Sequence, residues 1–148
     1  MKKRMITAIC TLSIAMVLLS ACQNEAASVS YKDGTYIGKS SMDDRDAYGE
    51  VTLVIENHQL STCKFVTWQA DGSMKDEEYG KVNGEISNKD YYDKAQLAVD
   101  AIKTYAEQFE QVKKIENVDA ISGATIAYNQ FTEAVNDALK EAVQTDEK

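Results

Sequence analysis

Glu50-Val51-Thr52-Leu53-Val54-Ile55-Glu56 is the stretch that decides the fold. Val51, Leu53 and Ile55 fall on one side of a period-2 pattern, with Glu50, Thr52 and Glu56 on the other, as in a half-buried β-strand. Leu60 to Trp68 follows, rich in β-branched and aromatic residues, and is expected to pair with it. Asn57-His58 then occupies the hairpin tip. His58 is the chain's single histidine. With no carboxylate or nucleophile directly beside it in sequence, a solvent-facing turn suits it better than catalysis.

Working outward, Asp33-Gly34 opens a turn into Thr35-Tyr36-Ile37-Gly38-Lys39, a further strand. Downstream, residues 70–88 are polar and punctuated by glycine, which predicts a long loop with one short strand near Val82. Ser87-Asn88-Lys89-Asp90 offers a helix cap and an early acid. Tyr92, Ala95, Val99, Ile102, Tyr105 or Ala106, Phe109 and Val112 then recur at helical spacing. Val118 to Ile121 reads as a short extended piece. A last helix is expected from about Ser122 to Val143, with Tyr128, Phe131, Val135, Leu139 and Ala142 on one stripe. Strands first and helices second predict an α+β domain, an antiparallel sheet packed against two main helices.

The N-terminal end reads as an export signal: Lys2, Lys3 and Arg4 precede the uncharged, largely apolar run Met5 to Ala21. That run is short for a permanent span, which needs about 20 apolar residues. Leu19-Ser20-Ala21-Cys22 resembles the bacterial lipobox, which implies a lipid on Cys22. The expected organisation is a signal peptide over residues 1–21, the lipidated cysteine and a flexible tether over 22–32, one domain over 33–143, and a polar tail over 144–148. Cys10 would leave with the signal and Cys22 would carry lipid. Cys63 then stands alone, without an intramolecular disulfide or a cysteine cluster for zinc or iron–sulfur binding. Removing Lys2, Lys3 and Arg4 from the net charge of −8 leaves −11. Such a surface repels nucleic acid and anionic headgroups, so membrane attachment must come from lipid rather than from a basic patch.

Asp119-Ala120-Ile121-Ser122-Gly123-Ala124-Thr125 is the stretch that carries chemistry. Ser122 is a favourable N-cap, and Gly123 and Ala124 leave the backbone amides uncrowded. Thr125 then falls in the first helical turn, where unpaired N–H groups and the helix dipole favour a phosphate. On local physics alone, this is an anion pocket containing a hydroxyl, or simply a capped helix.

The stretch resembles the flavinylation motif Asp-x-x-Ser/Thr-Gly-Ala-Thr of the FMN-binding domain family, found in the C subunit of the sodium-pumping NADH:quinone reductase and the G subunit of the Rnf complex. Asp33-Gly34-Thr35-Tyr36, the hairpin between Val51 and Trp68, and Val135-Asn136-Asp137-Ala138-Leu139 look like the same family. The resemblance therefore covers most of residues 33–143, and is nearest to single-domain flavinylated lipoproteins of extracellular electron transfer. Asn57-His58 stands where many relatives have Asp-Gly, and residues 70–88 lack a proline-containing segment common there.

The resemblance implies FMN joined covalently to Thr125 as a phosphoester, by a separate flavin transferase that uses FAD and magnesium. Ser122, Gly123 and Ala124 would surround the phosphate, and Asp119 would serve transferase recognition or order the turn. Trp68, Tyr79 and Tyr128 are candidates to stack on the flavin. No catalytic or metal-ligating residue is assigned. The implied role is an electron carrier on the extracytoplasmic face of the cell membrane, between a membrane donor (a quinone or an NADH dehydrogenase system) and an external acceptor. Two alternatives stay open: a flavin-dependent reductase component, although a Gly-x-Gly-x-x-Gly fingerprint is absent, and a non-redox or ligand-binding lipoprotein that retains the fold.

Overall fold

The computed structural model describes residues 30–143; Cys22, the expected signal segment, most of the tether and the polar tail lie outside them. Three strands, β1 (Gly34–Lys39), β2 (Tyr48–Glu56) and β3 (Gln59–Trp68), form an antiparallel sheet in the order β1-β2-β3. The alternation in β2 holds, with Val51, Leu53 and Ile55 buried on one face. In β3 the inward residues Leu60 and Cys63 are separated by an odd step. Val54 pairs with Thr62 while Ile55 pairs with Leu60. Ser61 is thus an extra residue, and the bulge restores the side-chain phase.

The β2–β3 turn has Asn57 at φ 52° and His58 at φ 64°, the left-handed pair of a two-residue hairpin loop. Asp33, ahead of β1, accepts hydrogen bonds from the His58 N–H at 2.7 Å and the Asn57 N–H at 3.1 Å. One carboxylate therefore ties the first strand to the far hairpin tip.

Two helices cover one face of the sheet: α1 (Lys89–Val112) lies on β3, and α2 (Thr125–Ala142) lies on β1 and β2. The expected cap of α1 is present, with Asn88 Oδ1 accepting from the Tyr91 N–H at 3.0 Å. The segment expected to be extended from Val118 to Ile121 forms no strand. It follows a 3-10 turn at Ile115–Asn117 and leads into the turn that precedes α2.

The buried face of α2 is made of Ala127, Ala134, Ala138 and Ala142 with Gln130, Phe131 and Val135, smaller than the stripe of large residues suggests. Gly38 gives the reason. A Cβ there would lie 2.1 Å from the Ala134 carbonyl oxygen and 2.3 Å from the Ala138 nitrogen, so only glycine lets the helix backbone rest on β1. Phe131 fills the centre, edge-on to Phe65 at 4.9 Å and stacked on Tyr105 at 5.8 Å. Truncating such a buried ring to alanine costs about 3–5 kcal/mol.

Candidate functional site

α2 begins at Thr125, and its N-cap is Ala124, which has no side-chain oxygen to cap with. This corrects the expectation that Ser122 caps a helix starting at its own position. Gly123 takes φ +84° and its Cα sits against Leu97, a Cβ being 3.0 Å from Leu97 Cδ2. The chain there takes a left-handed turn that favours glycine, so it bends before the helix and Ser122 is left exposed outside it. The first backbone bond into the helix runs from the Tyr128 N–H to the Ala124 carbonyl at 3.0 Å. The amides of Thr125, Ile126 and Ala127 precede that bond and have no earlier turn of helix to donate to. With no side chain capping them, they are available to an anion beside the exposed Thr125.

The turn is held from α1. Tyr105, fully buried, accepts the Ile121 N–H at 2.9 Å and reaches the Ala124 carbonyl at 3.4 Å. Gln108 Oε1 accepts the Asp119 N–H at 2.8 Å. The helical spacing identifies Tyr105 as core, but nothing in the sequence marks its hydroxyl as the anchor of the motif.

Thr125 opens onto a cleft of about 530 Å³. One wall is the start of α2, with Gly123, Ala124, Thr125, Ile126 and Gln130; the other carries Asp43, Arg45, Lys75 and Tyr79. Of the residues expected around a cofactor, Gly123, Ala124 and Thr125 line the cleft, while Ser122 and Asp119 do not. Of the three candidate aromatics only Tyr79 lines it. Tyr128 instead tilts against Tyr105 in the core at 5.5 Å, and Trp68 is not part of the lining.

Asp43 shapes the outer wall. Its Oδ1 accepts the Arg45 and Ala47 N–H groups at 2.9 and 3.0 Å. Glu133 joins the walls from α2, accepting the Ser41 N–H at 2.9 Å and the Ser41 hydroxyl at 2.6 Å, and these bonds hold its pKa below the usual value. The Lys75–Tyr79 loop is fastened to α1 by Gln96, whose Nε2 donates to the Tyr79 carbonyl at 2.9 Å. Burial pushes the Tyr79 phenol up, with Tyr91 adding to the shift and Arg45 opposing it.

Two residues of the lining, Thr67 and Gln130, each carry a buried polar atom that makes no hydrogen bond, Oγ1 and Oε1. The Gln130 amide is oriented by its Nε2, which donates to the Ala47 carbonyl at 3.0 Å, so its oxygen is the end left over. Buried polar groups are paired in the great majority of cases, and an unpaired one costs about 1–3 kcal/mol. A polar ligand in the cleft would remove that cost. The cleft is of ordinary ligand-site size, is lined both by the uncapped start of α2 and by the Tyr79 ring, and includes two side chains with unpaired polar atoms. These are the features that a phosphorylated, ring-containing cofactor such as FMN requires.

The family model of the FMN-binding domain matches residues 45–140. The chain belongs to the FMN-binding domain family. No curated protein matches it. Among solved structures it is similar to the CPE2226 protein of Clostridium perfringens, with a TM-score of 0.59 and 20% identity over 76% of this chain and 88% of that one. At that identity the likeness is one of fold. The family match supplies the ligand, FMN.

Proposed function

We propose that this FMN-binding domain carries its flavin covalently on Thr125 and serves as an electron carrier, held at the outer face of the membrane through a lipid on Cys22. The observation that supports this most directly is the coincidence at one place of an exposed threonine, uncapped helix amides and the cleft. The amides of Thr125, Ile126 and Ala127 would hold the phosphate, Tyr79 would flank the ring, and Gly123 lets the chain pass close without a side chain. When bound, the flavin supplies the redox chemistry; the protein supplies position and electrostatics.

Attachment needs a second protein. An unactivated alcohol is a poor nucleophile, and among the described residues no carboxylate or histidine is hydrogen-bonded to Thr125. The transferase therefore supplies the base. The Thr125 hydroxyl gives up its proton to it, its oxygen forms the bond to the flavin phosphate of FAD, and AMP leaves. The carrier reading rests on a flavin site in a sequence without a Gly-x-Gly-x-x-Gly dinucleotide fingerprint. A donor in the membrane, either a quinone or an NADH dehydrogenase system, and an external acceptor complete the proposed path.

Co-expression with a flavin transferase, FAD and magnesium tests the reading. We expect protein that stays fluorescent after denaturation, with the mass of one FMN mapped to the peptide containing Thr125. Thr125→Ala should abolish the label and keep the fold, because Thr125 is exposed. Label on Ser122 or Thr132, or undiminished label in Thr125→Ala, would overturn the assignment. Cys22→Ser should release the protein from the membrane fraction; a wild-type protein found wholly in the soluble fraction would rule out the lipid anchor.

A further inference from the structure

Among the described residues, Lys75 lines three neighbouring cavities: the cleft at Thr125, an apolar cavity of about 410 Å³ and a smaller one of about 230 Å³. Its position is fixed rather than loose. Its N–H donates to the Thr67 carbonyl at 2.9 Å, alongside the Trp68–Met74 bridge, and its Nζ lies 5.4 Å from the centre of the Tyr79 ring. Lys75 is half-buried and has no carboxylate within salt-bridge distance among the described residues. Burial lowers its pKa, the attraction of Asp43 opposes that shift without cancelling it, and Arg45 adds to it. An ammonium held in this way is stabilised by any negative charge that enters the cleft.

Two acids of the cleft, Glu133 and Asp43, are already engaged. Glu133 is taken up by Ser41, and Asp43 by the Arg45 and Ala47 amides and, at 3.4 Å, by the Gln130 amide. The unpaired Thr67 hydroxyl and Gln130 oxygen belong to side chains that line the same cleft as Lys75. An imide edge offers two carbonyl acceptors and one N–H donor. A hydroxyl, an amide oxygen and an ammonium are the complementary set. The pyrimidine end of a flavin has such an edge, with N1 beside one of its carbonyls. The phosphate end has its own donors at the start of α2, on the other wall.

We propose that Lys75 faces the pyrimidine end of the flavin and stabilises the negative charge that reduction places there, so that it sets the reduction potential of this domain. The inference rests on the flavin reading above. Two electrons and one proton convert the oxidised ring to a reduced anion, with the proton on N5 and the charge retained at N1. Lys75 is a positioning charge in this process and exchanges no electron or proton itself.

The experiment is a potentiometric titration, with dithionite as reductant, of the full-length flavinylated protein purified in detergent. Wild type is compared with Lys75→Met, Lys75→Gln and Lys75→Arg. Intact mass first establishes that each carries one FMN. The expected result is that Met and Gln weaken the preference for the reduced form about tenfold, a fall of about 30 mV for a two-electron couple. Lys75→Arg should stay near wild type. The neutral variants bear on the loop differently, so a fall in both shows loss of charge rather than of one packing contact. A potential unchanged in both would overturn the proposal. So would an equal fall in Lys75→Arg, which would mark a packing role. If Lys75 served only the phosphate, which is charged in both redox states, the rate of flavin loading by the transferase would change and the potential would not. A wild-type protein without any FMN mass would instead refute the reading on which the proposal rests.

Discussion

The two walls of the cleft are built by different physics. The wall bearing Thr125 belongs to the core: α2 lies on β1 at Gly38, Ala124 is buried, and Tyr105 ties the preceding turn to α1. The facing wall consists of loops that carry their own polar ties, from Asp43 to nearby amides and from Gln96 and Tyr92 to the carbonyls of Tyr79 and Glu77. Packing is all-or-none on a local scale, because a misplaced atom meets backbone. Loop hydrogen bonds are individually worth about 1 kcal/mol and can be lost one at a time. The residue proposed for attachment thus sits on the rigid wall and the charge proposed to bias the flavin on the adjustable one. Changes to the first should remove function; changes to the second should tune it.

The hardest way to break that contrast is Gly38→Val. The new side chain would meet the Ala134 carbonyl and the Ala138 amide, neither of which can turn aside. We expect a loss of about 3 kcal/mol or more, read as a large fall in the denaturant midpoint, with flavin loading lost as α2 lifts from the sheet. A variant as stable as wild type would show that α2 does not need this close approach, and the description of the rigid wall would fail.

Tyr105→Phe is a narrower cut into the same wall. It keeps the ring against Phe131 and Tyr128 but removes the acceptor for the Ile121 amide. A stability loss of about 1–2 kcal/mol is expected, together with slower flavin transfer to Thr125 because the motif turn is no longer pinned. Loading time courses with a fixed amount of transferase would read this directly. Normal loading despite the stability loss would mean that the transferase orders the turn by itself.

The same contrast explains what could be read from the sequence. The β2 strand was legible because Val51, Leu53 and Ile55 obey a period of two, and α1 because Asn88 supplies a recognisable cap. The turn into α2 at Thr125 was legible because its glycine and the helical stripe that follows are local signals. The bulge at Ser61 was not, since it shows only in the pairing of β3 with β2. The true cap of α2 was missed because Ser122 has the right side chain but Gly123, at positive φ, turns the chain away from it. Arg45, Lys75, Thr67 and Gln130 come from a loop, a second loop, a strand and a helix. No spacing in the sequence could bring them together. The odd polar residue on the buried face of α2, Gln130, was the available signal, since a core-facing glutamine needs partners.

The mildest test concerns Glu133, a charged side chain that bonds from α2 to the loop wall at Ser41. Its pKa is lowered from 4.5, first by the Ser41 hydroxyl and then by the Ser41 amide, against a smaller opposing effect of burial. The sign follows from proton binding: below pH 4.5 the unfolded chain takes up a proton that the folded one resists. Whatever Glu133 contributes is therefore complete above that pH and lost as pH falls through the lower folded value. Glu133→Gln keeps an acceptor for Ser41 without the charge, so only a small fall in melting temperature is expected at pH 7, since the pair is solvent-exposed. Melting curves from pH 7 down to pH 3 should show wild type and variant converging in acid. A gap that stays constant with pH would mean that shape, not charge, joins the two walls at this point, and a wider gap in acid would contradict the hydrogen bonding at Ser41. Because the contact crosses the cleft, Glu133→Gln should also let the loop wall move while Thr125 stays in place. Flavin loading should then be normal, with faster quenching of the bound flavin by iodide, and slower loading would show that the two walls are not independent.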